Sequence, residues 1–403
     1  MGYEESSTSA DPVEDWVVDW DWLDPSWGTD AIDIWNAVRE VTPMAMTERY
    51  GRAFMPVTME AVSAIAKDTE NFSSQWVSVA QPDAVRRPAP PITSDPPHHQ
   101  GHRRLLLPSF SPRQIEPMED ELREYCRELI EAIGGDETAD AAAQYSQHIP
   151  VHGIAQMIGV PDSDAEVFRD WIHRNFQLAP RDNRVREEVT ADMRAYFGDL
   201  LDARRDDPRD DLASLIEHAE IDGEPVDREL KLGYLLLLIL AGIDTTWSAI
   251  GSGLWHLGTH PDDLARLRDV PFDDPLWLTM SEEVLRYYAP VTMGRRVVGD
   301  TVVAGCPVHA GDQVLVTFPA ANHDPDAFER SDEFVIDREV NRHVAFGLGI
   351  HRCLGSNLAR LEMEVAFQEW CAAFPEYRVD GSRETTWTSG QIRGPRTIPV
   401  VLR

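Results

Sequence analysis

One cysteine of the chain, Cys353, lies in a sequence context that suits thiolate chemistry. It stands in the run FGLGIHRCLG, with glycines at positions 347, 349 and 355, and a strong helical pattern follows it. Glycines allow backbone geometries and close approaches that a Cβ would forbid. Backbone N–H groups and the N-terminus of the coming helix can stabilise a thiolate, which is a strong electron donor to iron. A cysteine nucleophile is the alternative, but the sequence suggests no Asn or Asp to orient a base.

The other three cysteines, Cys126, Cys306 and Cys371, have no CxxC partner. Their spacing indicates neither a zinc ribbon nor a dense disulfide framework, and it fits a reducing compartment. We therefore interpret them as small buried hydrophobes.

An acid and an alcohol, Asp244 and Thr245, interrupt the apolar stretch of a predicted helix from Lys231 to Leu257. The hydroxyl of Thr245 can bond to the carbonyl four residues earlier, at Ala241, and bend the helix. One interpretation is a kinked helix with a solvated acid. The other is a proton relay, since an acid and an alcohol can deliver protons where water is otherwise excluded. Helical spacing places four small or apolar residues on the face of Thr245: Leu238, Ala241, Gly242 and Ala249.

Two further segments carry charged residues at suggestive spacing. In EEVLR, Glu283 and Arg286 are three residues apart and meet on one helical face, which by itself is a common surface pair. In DPPHHQGHRR, three histidines, His98, His99 and His102, have a spacing that would also suit a metal.

The elements around these residues are mostly helical. Apolar residues recur every three or four positions in 115–132 and 165–215, and again after Cys353. Short β-branched runs broken by Gly, Asp and Pro predict a small sheet in 295–318, and 386–403 resembles loop and strand. No linker or repeat divides the chain, so we expect a flexible acidic tail, 1–15, followed by a single domain, 16–403.

The composition is strongly acidic, with 37 Lys and Arg against 70 Asp and Glu and a formal net charge of -33. This charge argues against a nucleic-acid or anionic-membrane partner and favours simple solubility. The N-terminus resembles neither a secretory signal nor an anchor. The longest apolar run, Tyr234–Ile243, is far shorter than the ~20 residues that span a bilayer. We expect a soluble, cytoplasmic protein with no membrane partner.

Together these segments resemble the cytochrome P450 family, whose haem-binding signature has the form FGxGxHxCLG. The segments DPPHHQGHRR, AGIDTT and EEVLR precede it in the family's order, and the four elements span Asp95 to Gly355. The resemblance implies a mainly α, helix-rich fold with small β-sheets. It also implies haem b as the cofactor, with Cys353 as the thiolate ligand of the iron.

The resemblance also assigns roles to residues. It implies that Asp244 and Thr245 relay protons and that Arg338, in DEFVIDR, completes a buried ion-pair network with Glu283 and Arg286. It implies that haem propionates are held by His99, Arg103, Arg295 and His351, with Arg296 as the alternative to Arg295. Further cofactor contacts are expected from Ala241, Phe346, Gly347 and Gly355.

The implied activity is a monooxygenase that inserts one atom of dioxygen into a small lipophilic substrate, by hydroxylation or O-dealkylation. Electrons are expected from a separate ferredoxin and its reductase, which a local basic surface could dock: Arg104, Arg113, Arg342, Arg352 and Arg360. The expected substrate pocket comprises Trp76, Val77, Phe176, Leu238, Ala241, Gly242, Val291, Thr292, Met293, Gln391 and Ile392. Two alternatives are a peroxide-using or electron-independent enzyme of the same fold and a haem-binding protein without catalysis.

Overall fold

The computed structural model describes residues 12–79 and 87–402, so the first 11 residues of the predicted acidic tail lie outside the described part of the chain. Helices dominate the described residues, as the sequence predicts. The α-helices are α1 Pro25–Thr29, α2 Ala31–Val41, α3 Met59–Lys67, α4 His98–Leu106, α5 Pro112–Ile115, α6 Glu119–Ile133, α7 Ile149–Ile158, α8 Ala165–His173, α9 Asn183–Asp206, α10 Leu212–Glu217, α11 Arg228–Thr259, α12 Pro261–Leu267, α13 Leu276–Tyr287, α14 Phe318–Ala321 and α15 Ser356–Ala373.

The strands are short and form several small sheets. They are β1 Met44–Thr47, β2 Ala53–Pro56, β3 Phe72–Ser73, β4 Thr138–Asp140, β5 Glu220–Ile221, β6 Glu224–Pro225, β7 Met293–Val297, β8 Thr301–Val303, β9 Cys306–Val308, β10 Gln313–Val316, β11 Arg378–Val379, β12 Thr386–Trp387, β13 Pro395–Thr397 and β14 Pro399–Val401. The largest sheet has the order β1-β2-β10-β7-β3, and within it only β2 and β10 are parallel. The sheet predicted in 295–318 is therefore present, and it also recruits N-terminal strands that the sequence pattern did not reveal.

Prolines explain where two predicted helical stretches are divided. The stretch 165–215 contains α8, α9 and α10, with Pro180 before α9 and Pro208 before α10. Pro117 lies in a 3-10 turn immediately before α6, so that helix begins at Glu119 instead of Ile115. Proline lacks the backbone N–H and disfavours helical geometry at the residue before it, so a continuous amphipathic pattern is interrupted at these points.

The central helix, α11, organises the core. Its first turn is capped by Asp227, whose side chain accepts from the Leu230 N–H at 3.1 Å. The helix is apolar and long enough to cross a bilayer, but 67% of its most apolar window is buried inside the protein. A helix that is apolar on all sides and surrounded by others is typical of a protein core. α11 packs against α7, α9 and α15 in this way.

The N-terminal segment forms a tryptophan-rich cluster that packs beside the largest sheet. Its buried members include Trp20, Trp22, Trp27 and Trp35. The segment is also tied to the loop between β12 and β13, where the Gly390 N–H donates to the Trp22 carbonyl at 2.7 Å and Arg393 Nε donates to the Gly28 carbonyl at 2.8 Å. The two ends of the described chain therefore meet.

Candidate active site

A single cavity brings together the segments that the sequence singled out. α11, the loop around Cys353 and the first turns of α15 all line it. Its empty volume is about 1430 Å³ including the open mouth.

The loop before α15 turns sharply around Cys353. Gly347 and Gly349 have φ angles of +71° and +68°, a region that L side chains rarely adopt. The Cys353 N–H donates to the Phe346 carbonyl at 2.7 Å and closes the turn. Gly355 differs from the expectation: its φ is -81°, and an added Cβ would meet only the Phe110 ring at 4.0 Å. The first two glycines are thus required by the turn itself, and the third is not.

The Cys353 side chain has accessible surface, but this surface faces the cavity. The protein around the sulfur raises the pKa of the free thiol by desolvation, and a backbone hydrogen bond from Gly355 and the charges of Arg103, Arg352 and Arg360 oppose this effect. A bound metal ion deprotonates its thiol ligand outright. The surroundings of Cys353 therefore suit a metal-bound thiolate.

Beside Cys353 lies a cluster of histidine and arginine donors. The rings of His99 and His351 meet edge to face at 4.5 Å, and the Nε2 atom of each is buried without a hydrogen-bond partner among the described residues. Burial, followed by the charges of Arg295, His99 and Arg103, lowers the pKa of His351 to about 3. Mutually repelling donors of this kind are stabilised when they bind carboxylates. The cluster therefore fits the propionates of the haem that the sequence resemblance implies.

The two candidate arginines of β7 lie in different environments. Arg295 is 5% exposed and lines the cavity, where burial lowers the pKa of its guanidinium to about 10. Arg296 lies outside the cavity lining and stacks on the Trp76 ring, with its guanidinium 5.6 Å from the ring centroid. The geometry therefore favours Arg295 as the propionate ligand.

The histidines of the DPPHHQGHRR segment do not form a metal site. His102 Nδ1 shares a hydrogen bond with the Ser94 hydroxyl at 2.7 Å, while His99 turns to His351. Among the described residues, no three His, Cys, Asp or Glu side chains come close enough to hold an ion.

Thr245 and its neighbours on α11 present the expected face. The Thr245 hydroxyl donates to the Ala241 carbonyl at 2.9 Å, as predicted. Leu238, Ala241, Gly242 and Ala249 line the cavity together with Thr245. At Gly242 an added Cβ would come within 3.1 Å of Ile154, so the glycine allows α7 to pack closely against α11. The hydroxyl thus lies in a wall that is otherwise small and apolar.

Asp244 faces away from this wall. It is 0% exposed, and its Oδ1 accepts from Arg396 Nη2 at 2.7 Å. Burial raises the pKa of the Asp244 carboxyl, and Arg396 and then His173 oppose that rise. Sequence reasoning missed Arg396, because β13 lies 152 residues further along the chain and carries no motif.

The Glu283–Arg286 pair is fully buried and anchors the segment that leads to the cysteine loop. Arg286 binds Glu283 through two nitrogens, at 2.8 and 2.9 Å, and donates to the Asn322, Ser331 and Glu333 carbonyls. Arg338 Nε donates to Glu283 Oε2 at 2.9 Å. The sequence did not indicate the remaining donors to Glu283, which are the Asn341 amide and the Val335 N–H.

The expected pocket residues divide into two groups. Val291 and Met293 line the cavity, as Leu238, Ala241 and Gly242 do. The cavity lining does not include Trp76, Val77, Phe176, Thr292, Gln391 or Ile392. Gln391 explains part of the difference, because its amide donates to the Val77 carbonyl at 2.9 Å and its own carbonyl accepts from the Thr292 N–H at 3.0 Å. These residues bind one another behind the lining.

Sequence reasoning also missed Glu362, a buried acid in the cavity wall. It lies on α15, and neither of its carboxyl oxygens has a hydrogen-bond partner among the described residues. Burial raises its pKa well above the ordinary value, and a contact from Thr246 opposes this. Its position in a regular helical stripe gave no signal in the sequence.

Comparisons with known proteins agree with this geometry. Residues 275–374 match the family model described as Cytochrome P450. The chain is 33% identical to Cytochrome P450 CYP107DY1 of Priestia megaterium over 315 residues, which cover 77% of this chain and 76% of the relative. It is 32% identical to Mycinamicin IV hydroxylase/epoxidase of Micromonospora griseorubida over 318 residues, covering 77% and 79% of the two chains.

Solved structures show the same likeness across almost the whole chain. The crystal structure of CYP109E1 from Bacillus megaterium in complex with testosterone superposes with a TM-score of 0.86 at 26% identity, covering 94% of this chain and 99% of the other. The polyketide synthase cytochrome P450 PksS of Bacillus subtilis gives a TM-score of 0.86 at 27% identity, covering 95% and 99%.

Proposed function

The chain belongs to the cytochrome P450 family of monooxygenases, and from this premise we propose that it hydroxylates or O-dealkylates a small lipophilic substrate with electrons from a separate ferredoxin and ferredoxin reductase. The observation that carries the proposal is the shared cavity. Cys353, the cluster of histidine and arginine donors and the Thr245 hydroxyl all line this space or border it.

The cofactor we propose is haem b, whose iron the Cys353 thiolate would bind. When bound, a haem iron with a thiolate ligand supplies the activation of dioxygen, because the thiolate donates electron density that favours O–O cleavage. Cys353 would hold the iron, and His99, Arg103, Arg295 and His351 would hold the propionates. Gly347 keeps the turn tight, and Phe346 lines the cavity beside it.

The lining of the cavity supports a neutral, lipophilic substrate. On the α11 side it consists of Leu237, Leu238, Ala241, Gly242 and Ala249 together with the hydroxyls of Thr245 and Thr246. Burying an unpaired charge against such a wall is costly. The testosterone bound by the CYP109E1 neighbour has the same apolar character.

The residues of α11 would supply protons and keep bulk water away. Thr245 presents its hydroxyl to the cavity, while Asp244, the preceding residue, is held in the protein interior. The acid can take up a proton and the alcohol can position it beside the reacting oxygen. The presence of both groups favours an electron-dependent monooxygenase over a peroxide-using enzyme, an electron-independent enzyme of this fold or a haem-binding protein without catalysis.

The direct test is the carbon-monoxide difference spectrum of the reduced protein, with Cys353→Ser measured beside it. We expect the red-shifted band of thiolate-bound haem in the wild type and its loss in the variant. Cys371→Ser is the matched control, because Cys371 is buried outside the cavity. A wild-type spectrum without the shifted band would refute the assignment.

The electron source and the compartment complete the proposal. Four of the five arginines expected at the docking surface are exposed and form no ion pair with the described residues: Arg104, Arg113, Arg342 and Arg352. They provide positive charge on a protein whose net charge is -33, which suits an acidic ferredoxin. Arg360 contributes less positive charge to this surface, because its Nε forms an ion pair with Glu282 Oε1 at 2.6 Å. We place the enzyme in the cytoplasm.

A further inference from the structure

The hairpin of β12 and β13 packs directly against α11 beside Asp244. At Gly394 an added Cβ would come within 2.4 Å of the Ser248 side chain, so only glycine permits this approach. The close approach brings Arg396, two residues after Gly394, to the side of α11 that carries Asp244.

Arg396 contacts three residues on one face of the helix. Its Nη2 donates to Asp244 Oδ1 at 2.7 Å, its Nη1 donates to the Ser248 hydroxyl at 3.0 Å, and its guanidinium lies 4.3 Å from the Trp247 ring centroid. These positions are i, i+4 and i+3, which share a helical face. Arg396 therefore holds the acid by one oxygen and is itself held by two neighbours.

The second oxygen of the acid, Asp244 Oδ2, is buried and has no hydrogen-bond partner among the described residues. A buried ion pair is weak evidence for stability, since apolar replacements are often as stable. A charged pair whose acid has one oxygen without a described partner, and immediately precedes in sequence the threonine that lines the cavity, is better explained by function.

We propose that Arg396 is a positioning residue for the proton-supplying acid: it holds Asp244 ionised through Oδ1 and leaves Oδ2 to take up a proton from water and pass it toward the Thr245 hydroxyl. This inference rests on the proposed monooxygenase function. It adds a residue from the C-terminal hairpin to the proton supply.

The charged surroundings of Asp244 set the direction of the expected effect. Arg396 of β13 and His173 of α8 are the described groups whose charges act on it, and burial acts against both. Burial raises the pKa of Asp244, and without the Arg396 charge only His173, which is exposed to solvent, opposes that rise. The Asp244 carboxyl should then stay protonated to higher pH.

The experiment follows the protonated-carboxyl stretch of Asp244 by infrared spectroscopy during a pH titration of the haem-loaded, full-length protein. The band is assigned by its loss in Asp244→Asn. For Arg396→Met we expect the titration midpoint to rise by at least about one pH unit, a tenfold change in the protonation equilibrium. Arg396→Lys should keep the midpoint near that of the wild type. If Arg396→Met does not fold, Arg396→Gln takes its place.

A second readout is oxygen consumption driven by a surrogate ferredoxin and reductase, in water and in deuterium oxide. Loss of a positioned acid should slow proton-dependent turnover about tenfold or more in Arg396→Met and raise its solvent isotope effect. Arg396→Lys should recover most of the rate.

The matched control is Arg393→Met. Arg393 is a buried arginine of the same hairpin region that stacks on Trp387 and bonds to the Gly28 carbonyl instead of Asp244. Its removal should leave the Asp244 midpoint unchanged. An unchanged midpoint in Arg396→Met, or an equal shift in Arg393→Met, would overturn the inference. Failure of the monooxygenase proposal would appear separately, as a wild type that lacks the thiolate band, and the infrared midpoint would still decide the role of Arg396.

Discussion

At the scale of single residues, the α11 wall of the cavity combines apolar packing with the hydroxyls of Thr245 and Thr246. Thr245 bonds to the Ala241 carbonyl and faces the cavity, whereas Asp244 is turned toward Arg396. Adjacent residues on a helix point about 100° apart, so the acid and the alcohol serve different sides of α11. This arrangement separates proton uptake from proton use.

Replacing Thr245 by alanine should separate oxygen consumption from product formation. We expect Thr245→Ala to consume oxygen at a rate close to that of the wild type and to yield several-fold less product per electron, with the rest recovered as hydrogen peroxide. The measurement compares oxygen, peroxide and product in the same assay.

Thr259→Ala is the matched control for this substitution, since Thr259 makes the same bond to a carbonyl four residues earlier, that of Trp255, at the end of α11 away from the cavity. Tight coupling in Thr245→Ala would contradict the relay role.

The sequence predicted much of the chemistry at this scale, because its residues occur in short local motifs. Cys353 and the three glycines around it lie within the short run 346–355, and Thr245 follows Asp244 directly. Arg396 and Glu362 escaped prediction for physical reasons: one reaches its partner only through tertiary packing, and the other lies in an ordinary helical pattern. Trp76 and Gln391 were expected in the pocket, but its lining includes neither: Gln391 donates to the Val77 carbonyl, and the Trp76 ring lies against the Arg296 guanidinium.

At the scale of elements, the cysteine loop depends on a tight turn packed against α3. An added Cβ at Gly349, whose φ is +68°, would come within 3.0 Å of the Ala66 carbonyl oxygen. Backbone strain and a close contact therefore coincide at one position.

Substitution of Gly349 should disturb the loop more than strain alone would. We expect Gly349→Ala to lower the free energy of unfolding by about 1–3 kcal/mol and to speed haem loss to an acceptor globin.

Gly305→Ala is the control, because Gly305 has a φ of +81° in the β8–β9 hairpin and nothing within 4 Å of an added Cβ. Equal haem loss in the two variants would show that the contact with Ala66 is unimportant.

The buried pair of α13 holds together the long segment between α14 and the cysteine loop. Arg286 donates to three carbonyls of this segment, so its replacement removes a donor from each of them and leaves the buried Glu283 carboxylate with Arg338 as its remaining arginine partner. We expect Arg286→Met to lower the free energy of unfolding by about 3–5 kcal/mol, measured by denaturant titration of the haem-loaded protein.

The exposed pair Arg330–Glu333 has the same spacing of three residues along the chain. Arg330→Met should therefore lower the free energy of unfolding far less than Arg286→Met does, because solvent screens an exposed pair. Similar costs for the two variants would refute the structural role of the network.

At the scale of the whole molecule, the surface around the cysteine loop carries charge of the opposite sign to the net charge of the chain. The chain is strongly acidic, yet exposed arginines lie around the cysteine loop. The helices and the small sheet were predictable from the spacing of apolar residues along the chain. The strands of the N-terminal part were not, because they pair with strands that lie far away in sequence. A surface patch of this kind also depends on folding, which brings α4 against the cysteine loop through the bond from Arg103 to the Arg352 carbonyl.

Charge reversal on this surface should slow electron delivery. We expect Arg104→Glu with Arg352→Glu to lower the rate of reduction by an acidic ferredoxin about tenfold or more at low salt and to flatten its dependence on ionic strength. Stopped-flow reduction under carbon monoxide measures both quantities.

Arg378→Glu, on exposed β11, controls for net charge alone. An unchanged rate and salt dependence in the double variant would exclude docking at this surface.

The contact between the N-terminal segment and the loop between β12 and β13 has a consequence for synthesis. The ribosome makes Gly28 before its partner Arg393, which follows 365 residues later. Contacts that are so distant in sequence form late, because the entropy cost of closing a long loop comes before the contact can form. A nascent chain can therefore fold much of its helical core while Asp244 still lacks Arg396, which is made 152 residues later.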